Sequence, residues 1–162
     1  MTRTGIGFDT HCLVAGRRLV LGGVEIPHER GLLGHSDADV LTHALMDALL
    51  GAVADGDIGQ HFSDQDPRWK DADSVALLRQ VVARLRTLGW QVVNTDATVL
   101  AEEPRLAPHV PVMRARLAAA MGIEVAGVSV KATTVEGLGA IGRREGISAM
   151  AVATVTRIEA KR

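Results

Sequence analysis

The sequence predicts an α+β fold, a single domain over residues 1–162 in which a mixed sheet of four or five strands carries its helices on one face. The chain has 162 residues, the size of one ordinary domain. Segments with the alternating pattern of strands lie towards both ends, and segments with helical spacing lie between them. Hydrophobic residues make up 47% of the chain but include only two Phe and two Trp, so we expect an aliphatic core.

The N-terminal part is predicted to be extended. Residues 4–13 alternate loosely, and the segment RRLVLGGVEIP at 17–27 has a glycine pair between two short apolar runs, which predicts a short N-terminal hairpin closed by the proline. A first helix is predicted from Ala38 to Val53 because its apolar residues recur three or four positions apart. Either Ser36 or Asp37 is available as its N-cap.

The remainder alternates between connections and regular elements. The segment ADGDIGQHFSDQDPRWKDADS, residues 54–74, is rich in Asp, Gly and Ser. It is long for a connection without structure, which predicts a functional loop or lid. The later predicted elements are a helix from Asp73 or Ser74 to Gly89, a strand at 90–104, a helix from Pro108 to Met121 that stops at Gly122, and strands at 128–134 and 146–160.

Composition excludes several classes of function. The net charge is −1 and no run of Lys and Arg exceeds two residues, so we expect no nucleic-acid partner. The single cysteine excludes an internal disulfide framework and favours a reducing compartment. No segment approaches the roughly 20 apolar residues of a membrane span, and the N-terminus lacks a secretory signal pattern. We therefore expect a cytoplasmic protein without a membrane partner.

An Asp-x-His pair lies in the first predicted strand. Because side chains alternate along a strand, Asp9 and His11 share one face, and Cys12 lies on the other. A carboxylate and an imidazole together suit zinc. A solvated aspartate and a hydrogen-bonded histidine on a sheet surface would give the same pattern, so the pair alone leaves both interpretations open.

The first helix carries a polar stripe formed by Asp39, His43 and Asp47 at intervals of four residues. Metal-bound histidines usually donate their second ring N–H to a carboxylate or carbonyl, and this stripe offers two carboxylates for His43. The alternative is an ordinary solvated helix face, although such faces usually mix Lys and Glu, which are absent here. Both interpretations of His43 stay open at this point.

Two later segments suit phosphate chemistry. GLGAIG at 137–142 matches G-x-G-x-x-G, but a strand pattern follows it where the dinucleotide fingerprint requires a helix, so we predict a turn-rich loop between strands. Its neighbours Arg143 and Arg144 suit a phosphate, or else are solvated surface residues. KATTVE at 131–136 offers hydroxyls and a carboxylate, which suit phosphate oxygens and a hard cation such as Mg²⁺.

Six segments in order carry a resemblance to a known family: GFDTH, GLLGHSDADVLTHALMDALLGA, GDIGQHFSDQD, AEEPRLAPH, KATTVEGLG and GRREGI. They closely resemble the 2-C-methyl-D-erythritol 2,4-cyclodiphosphate synthase family over nearly the whole chain. The resemblance implies a homotrimer with active sites between neighbouring subunits. It also implies a lyase of the non-mevalonate isoprenoid pathway, which cyclises 4-diphosphocytidyl-2-C-methyl-D-erythritol 2-phosphate and releases CMP. The substrate's own phosphate is then the nucleophile, so no protein nucleophile is required.

By position, the resemblance also implies roles for single residues. Asp9, His11 and His43 match ligands of one zinc ion, and Glu136 matches the ligand of a second divalent ion, Mg²⁺ or Mn²⁺, on the substrate diphosphate. His35 and Thr134 match transition-state stabilisers. The implied substrate-binding residues are Asp9, Thr10 and His11; His35 and Ser36; Asp57, Ile58 and Gly59; Phe62, Ser63, Asp64, Gln65 and Asp66; Ala101, Glu102, Glu103, Pro104, Arg105, Leu106 and Ala107; Thr133, Thr134, Val135 and Glu136; and Ala140 and Arg143.

Two other functions are left open by the sequence. One is a trimeric zinc-containing protein that binds a nucleotide or an isoprenoid phosphate, and the other is a metal-dependent phosphohydrolase. A structural zinc site is normally closed by four ligands, usually including cysteine, whereas this set of three leaves one position open. The sequence departs from the family's usual residues at Gly137, Ala140 and Met150, which bears on contacts of the last loop and on any isoprenoid cavity along the trimer axis.

Overall fold

The computed structural model of the chain describes residues 1–159. Its strands are β1 (Thr2–Ala15), β2 (Leu19–Leu21), β3 (Val24–Ile26), β4 (Arg30–Leu32), β5 (Trp90–Leu100), β6 (Val128–Thr133) and β7 (Gly146–Arg157). Its α-helices are α1 (Val40–Ala52), α2 (Ile58–His61), α3 (Ser74–Thr87), α4 (Val110–Met121) and α5 (Gly139–Gly142). Short 3₁₀ turns lie at Pro67–Trp69, Ala107–His109 and Val125–Gly127.

Five strands form one mixed sheet in the order β4-β1-β7-β5-β6. The β5–β6 pair is parallel, and the other pairs are antiparallel. The predicted α+β class with a mixed sheet is therefore confirmed, and β2 pairs with β3 as the predicted hairpin. The edge strand β4 was not predicted, because three residues are too few to show a period of two.

The two faces of the sheet differ. One face packs against the core formed by the aliphatic residues of α1, α3 and α4. On the other face, Ile6 and Phe8 of β1 lie beside Val152 and Met150 of β7, and all four side chains are exposed. The described chain thus presents an apolar strip on the face away from its helices.

Two glycines of β1 let α1 approach the sheet closely. A Cβ atom at Gly5 or Gly7 would overlap the carbonyl oxygens of Ala48 and Ala44, respectively. Only a residue without a side chain fits at such a distance from another backbone. Because Gly5, Gly7, Asp9 and His11 alternate onto the same face of β1, this close approach also brings α1 against the strand position of Asp9 and His11.

Several predicted boundaries are wrong. Helix α1 begins two residues later than predicted, and its N-cap is Asp39, not Ser36 or Asp37. The Asp39 carboxylate is fully buried and accepts hydrogen bonds from Thr42 and from the backbone N–H groups of Gly22 and Gly23. These bonds join the hairpin to α1. A sequence pattern cannot reveal this role, because the hairpin donors lie 16 and 17 residues away.

Four further segments differ from the prediction. The segment after α1 contains α2 and a 3₁₀ turn, and the predicted GLGAIG loop contains the single turn α5. The predicted strand at 90–104 stops at Leu100, and the last strand stops at Arg157, with its predicted end at Ala160 outside the described residues. Over residues 1–159, none of the helices has the length and apolar character needed to cross a membrane.

Candidate functional site

A carboxylate and two imidazoles meet where β1 faces α1. The Asp9 Oδ2 atom lies 3.0 Å from His11 Nε2 and 2.9 Å from His43 Nδ1, and those two nitrogens are 3.2 Å apart. The three donor atoms form a nearly equilateral triangle, and the residues form a group that could hold a metal ion. The alternation of β1 and the helical position of His43 bring together the three residues that the sequence proposed as ligands.

The electrostatics of this triad favour positive charge. Burial acts to raise the pKa of Asp9, but hydrogen bonds from His11 and His43 and their charges outweigh burial and hold that pKa well below its usual range. Burial acts to lower the pKa of His43, but the hydrogen bond to Asp9 and the charges of the nearby aspartates outweigh it and raise that pKa. The raised pKa of His43 reports a negative potential that a bound cation would neutralise, and the lowered pKa of Asp9 keeps its carboxylate ionised and able to bind a cation.

His43 is buried, so the solvated-face alternative is wrong. Its exposed fraction is 8%, and every residue of α1 except Asp47 and Gly51 is buried. The sequence also offered Asp39 and Asp47 as possible acceptors of the second ring N–H. Among the hydrogen bonds of residues 1–159, neither does: Asp39 caps the helix, and Asp47 accepts from the backbone N–H of Ile58.

The second ring nitrogen of His43 meets two serine hydroxyls instead. Its Nε2 atom lies 2.9 Å from Ser74 Oγ and 3.1 Å from Ser36 Oγ. Ser74 in turn bonds to Asp37 through both its hydroxyl and its backbone N–H. The sequence singled out Ser36 by resemblance, but it considered Ser74 and Asp37 only as helix caps, because a side-chain bond across 37 residues leaves no local pattern.

A cavity of about 420 Å³ opens from the triad. The sequence-proposed residues His35, Ser36, Ile58, Gly59, Phe62 and Asp64 line it together with the three residues of the triad. His35 Nε2 lies 3.0 Å from the carbonyl oxygen of Asp66 and so connects the triad side of the cavity to the opposite loop. Trp69, which the sequence did not propose, completes that wall by edge-to-face contact with Phe62 at a centroid distance of 5.2 Å.

Four proposed residues near this cavity are directed elsewhere. Asp57 caps α2 by accepting from the backbone N–H of Gln60, and the Asp66 carboxylate pairs with Arg68. Ser63 accepts from the backbone N–H of Gln65 in the same loop. Thr10 points to the far side of the sheet, where its hydroxyl meets that of Ser148.

The other proposed residues form a second cluster, where the loop after β5 meets the loop after β6. Glu102 Oε1 accepts from the backbone N–H groups of Val135 at 2.9 Å and Gly137 at 3.2 Å. Thr134 donates its hydroxyl to Glu136 Oε1 at 3.1 Å. Glu136 has a φ of 55°, a conformation that is costly outside glycine and is often retained at functional sites.

Ion pairs link this second cluster to neighbouring segments. Glu103 lies 3.0 Å from Arg30 of β4 and 3.1 Å from Arg144 of the last loop. Arg143 pairs with Glu145 at 2.7 Å, and it is exposed, as is Ala140 of α5. Within the described part of the chain, no residue of 101–107 or 133–136 lines the triad cavity. One chain therefore carries two separate clusters, not one assembled pocket.

Comparison with known proteins gives a consistent result. The model of the YgbB family matches residues 2–156. The 2-C-methyl-D-erythritol 2,4-cyclodiphosphate synthase of Syntrophomonas wolfei is 61% identical over 153 residues, which cover 94% of this chain and 98% of that protein. The structure of the bifunctional IspDF from Campylobacter jejuni matches with a TM-score of 0.94 at 39% identity. The match covers 98% of this chain and 43% of that longer chain. The IspF–CDP complex of Plasmodium falciparum matches with a TM-score of 0.85 at 28% identity, over 98% of this chain and 97% of that chain.

Proposed function

The chain belongs to the YgbB family, and from this premise we propose that it cyclises 4-diphosphocytidyl-2-C-methyl-D-erythritol 2-phosphate to 2-C-methyl-D-erythritol 2,4-cyclodiphosphate. CMP is the leaving group, and the enzyme is a phosphorus–oxygen lyase of isoprenoid biosynthesis. The observation that carries the proposal is the Asp9–His11–His43 triangle at the end of a cavity large enough for a small phosphorylated polyol. No protein nucleophile is needed, because the 2-phosphate of the substrate attacks the β-phosphorus.

The donor set supports zinc as the bound metal. Nitrogen and oxygen ligands about 2.0 Å from a tetrahedral zinc lie roughly 3.3 Å from one another, and the three donor atoms here lie 2.9–3.2 Å apart. Three protein ligands leave one coordination position for a phosphate oxygen, which is the arrangement of catalytic and not structural sites. When bound, zinc supplies a Lewis acid that lowers the negative charge on that phosphate.

The residues of the chain supply orientation and charge. Asp9, His11 and His43 would hold the metal, and His35 and Ser36, which line the same cavity, would contact phosphate oxygens. The wall formed by Ile58, Gly59 and Phe62 contacts the methylerythritol carbons. Holding the attacking phosphate and the diphosphate in a fixed geometry removes the entropic cost of an encounter, the main catalytic device open to a site without a nucleophile.

We assign the nucleotide half of the substrate to the second cluster. Residues 101–107 and 133–136 bind cytidine and the diphosphate largely through backbone groups, and Glu136 holds the second ion, Mg²⁺ or Mn²⁺, because hard cations prefer carboxylate oxygen. Thr134 stabilises the transition state. The last loop, with Ala140 and Arg143, contacts the same end of the substrate.

The separation of the two clusters supports a homotrimer with active sites between subunits. No residue of the second cluster lines the triad cavity in the described chain, which supports a site completed by a neighbouring chain for a substrate that needs both. The exposed apolar strip of Ile6, Phe8, Met150 and Val152 supports burial of that sheet face by another copy. Each active site then takes the triad from one subunit and the Thr134–Glu136 loop from its neighbour.

Mixing two inactive variants tests this arrangement. We expect His43→Ala and Thr134→Ala to be nearly inactive as separate homotrimers, and we expect activity to return when the two are unfolded, mixed and refolded together. In a random mixture of equal parts, about a quarter of the interfaces pair two unmutated clusters, so activity of roughly a quarter of wild type is expected. No recovery in mixed trimers verified by mass spectrometry would show that each chain builds its site alone.

The reaction itself is tested by the products. We expect CMP and the cyclic diphosphate to form in equal amounts, with CMP measured by chromatography and the cyclic product by phosphorus NMR. Hydrolysed, uncyclised phosphate would identify a phosphohydrolase instead. Tight binding of the substrate without any CMP release would identify a binding protein.

A further inference from the structure

A chain of hydrogen bonds supports His43 from the side away from the cavity. Ser74, the first residue of α3, is fully buried, and its Oγ atom lies 2.9 Å from His43 Nε2. The same hydroxyl lies 2.5 Å from Asp37 Oδ1, and the Ser74 backbone N–H donates to Asp37 Oδ2 at 3.0 Å. None of the roles proposed above uses Ser74 or Asp37.

The direction of these bonds follows from the chemistry of the groups. An ionised carboxylate only accepts hydrogen bonds, so the proton of the Ser74 hydroxyl is directed to Asp37. The oxygen of that hydroxyl then presents a lone pair to His43 Nε2 at 2.9 Å, so Nε2 carries the proton and donates chiefly to Ser74, with Ser36 Oγ as a more distant partner at 3.1 Å. When a metal displaces the proton that Nδ1 shares with Asp9, His43 is thereby held as the tautomer whose Nδ1 lone pair faces the metal position between Asp9 and His11.

We propose that Ser74 and Asp37 form a positioning relay for the metal ligand His43. The relay fixes the ring angle and the tautomer, and the Asp37 charge, transmitted through the Ser74 hydroxyl, makes Nδ1 a stronger donor to a metal. This inference rests on the proposed function, because it concerns the metal of the same site. Ser74 and Asp37 touch neither the cavity nor any substrate position, so both are positioning residues, not catalytic ones.

The backbone around Asp37 is built to hold it in this place. Ala38 is buried with a φ of 57°, an unfavourable conformation that turns the chain between Asp37 and Asp39. Asp37 therefore faces Ser74, while Asp39 faces the hairpin and α1. The Asp37 backbone N–H also donates to the carbonyl of Ala72 at 3.1 Å, which ties the relay to the end of the cavity loop.

The chain offers a matched control for the relay. Thr42 is also a fully buried hydroxyl that donates to an aspartate, Asp39, and it is next to His43 in sequence without bonding to its ring. Ser74→Ala and Thr42→Val each remove one buried hydroxyl, but only the first breaks a bond to His43. A general loss of stability would affect both variants, whereas a specific loss of metal binding would affect only one.

The test measures zinc affinity by competition with a chromogenic chelator, with the full chain in its native oligomeric state. We expect Ser74→Ala to bind zinc about 10- to 100-fold more weakly than wild type, the usual effect of losing such a partner. We expect Thr42→Val to stay within threefold of wild type. With cobalt in place of zinc, the visible absorption bands of Ser74→Ala should shift, because the ring angle of one ligand changes.

A second variant covers the case in which Ser74→Ala does not fold. Asp37→Asn keeps the size of the side chain and one acceptor but removes the charge, and we expect zinc affinity to fall by a smaller factor than in Ser74→Ala. The relay is overturned if zinc affinity in the folded variants stays within threefold of wild type, or if Thr42→Val loses as much affinity as Ser74→Ala. If the wild-type chain binds zinc and cyclises substrate but Ser74→Ala binds zinc equally well, only the relay is refuted. If the wild-type chain binds no zinc, both proposals are refuted.

Discussion

Replacing His43 with alanine is expected to lower kcat by at least about 10³-fold, because a Lewis acid at a phosphate contributes several kcal/mol and each 1.4 kcal/mol is a factor of ten in rate. The variant loses one of the three proposed metal ligands and its link to Ser74. We expect zinc content to fall well below one per chain and the fold to be retained. Zinc is measured by atomic emission, kcat by CMP release, and the fold by circular dichroism and size-exclusion chromatography.

His109→Ala is the matched control for this variant. His109 lies on the 3₁₀ turn before α4, outside the triad, its cavity and the second cluster. We expect it to keep wild-type zinc content and a kcat within about threefold. Two results would contradict the role of His43: a folded His43→Ala variant that retains one zinc and turns over within tenfold of wild type, or a variant that loses its oligomeric state together with its zinc, which would indicate a structural metal.

Replacing Gly7 with alanine is expected to destabilise the fold by more than about 4 kcal/mol, an exceptional loss for one methyl group. The new Cβ atom would overlap the carbonyl oxygen of Ala44 and lie 2.7 Å from the backbone nitrogen of Ala48. Both contacts are with backbone, which cannot rotate away, so α1 must separate from β1. Because that separation also moves His43 away from Asp9, zinc binding should be lost with stability. Urea unfolding and zinc content measure the two effects.

Gly51→Ala provides a contrasting control on the helix side of the same interface. A Cβ atom there would meet only the carbonyl oxygen of Ile6, at 3.9 Å, an ordinary contact. Since alanine is a better helix former than glycine, we expect a gain of about 0.5–1 kcal/mol. A Gly7→Ala variant that unfolds at the same urea concentration as wild type would show that the helix and strand do not depend on this close approach.

Much of the fold was predictable, because its largest elements have clear periods. The alternation of β1 and the helical spacing of α1 predicted both elements, and the side of β1 shared by Asp9 and His11 is the side that meets α1. The helical pattern also placed His43 on an element that packs against this strand. Local periodicity is strong in long elements with one buried face, and these elements carry the triad.

The remaining features depend on contacts between distant segments. The role of Asp39 is decided by hairpin donors, and that of Asp37 by a serine 37 residues away, so neighbouring residues gave no indication of either. Within residues 37–39, the Asp39 carboxylate lies against the hairpin and the Asp37 carboxylate lies against Ser74 of α3. The two can point in different directions because Ala38 between them has a positive φ. Trp69 was overlooked because one aromatic residue in a polar loop has no period, although it contacts Phe62 in the cavity wall.

The most direct test of the central claim is phosphorus NMR of the products formed by the zinc-depleted and the zinc-reloaded chain, with Mg²⁺ present in both. The triad geometry predicts that the depleted chain is inactive and that activity rises linearly to one zinc per chain, with the cyclic diphosphate and CMP as the only products. Equal rates of cyclisation with and without zinc would contradict the account, as would inorganic phosphate or uncyclised phosphate as the main phosphorus product.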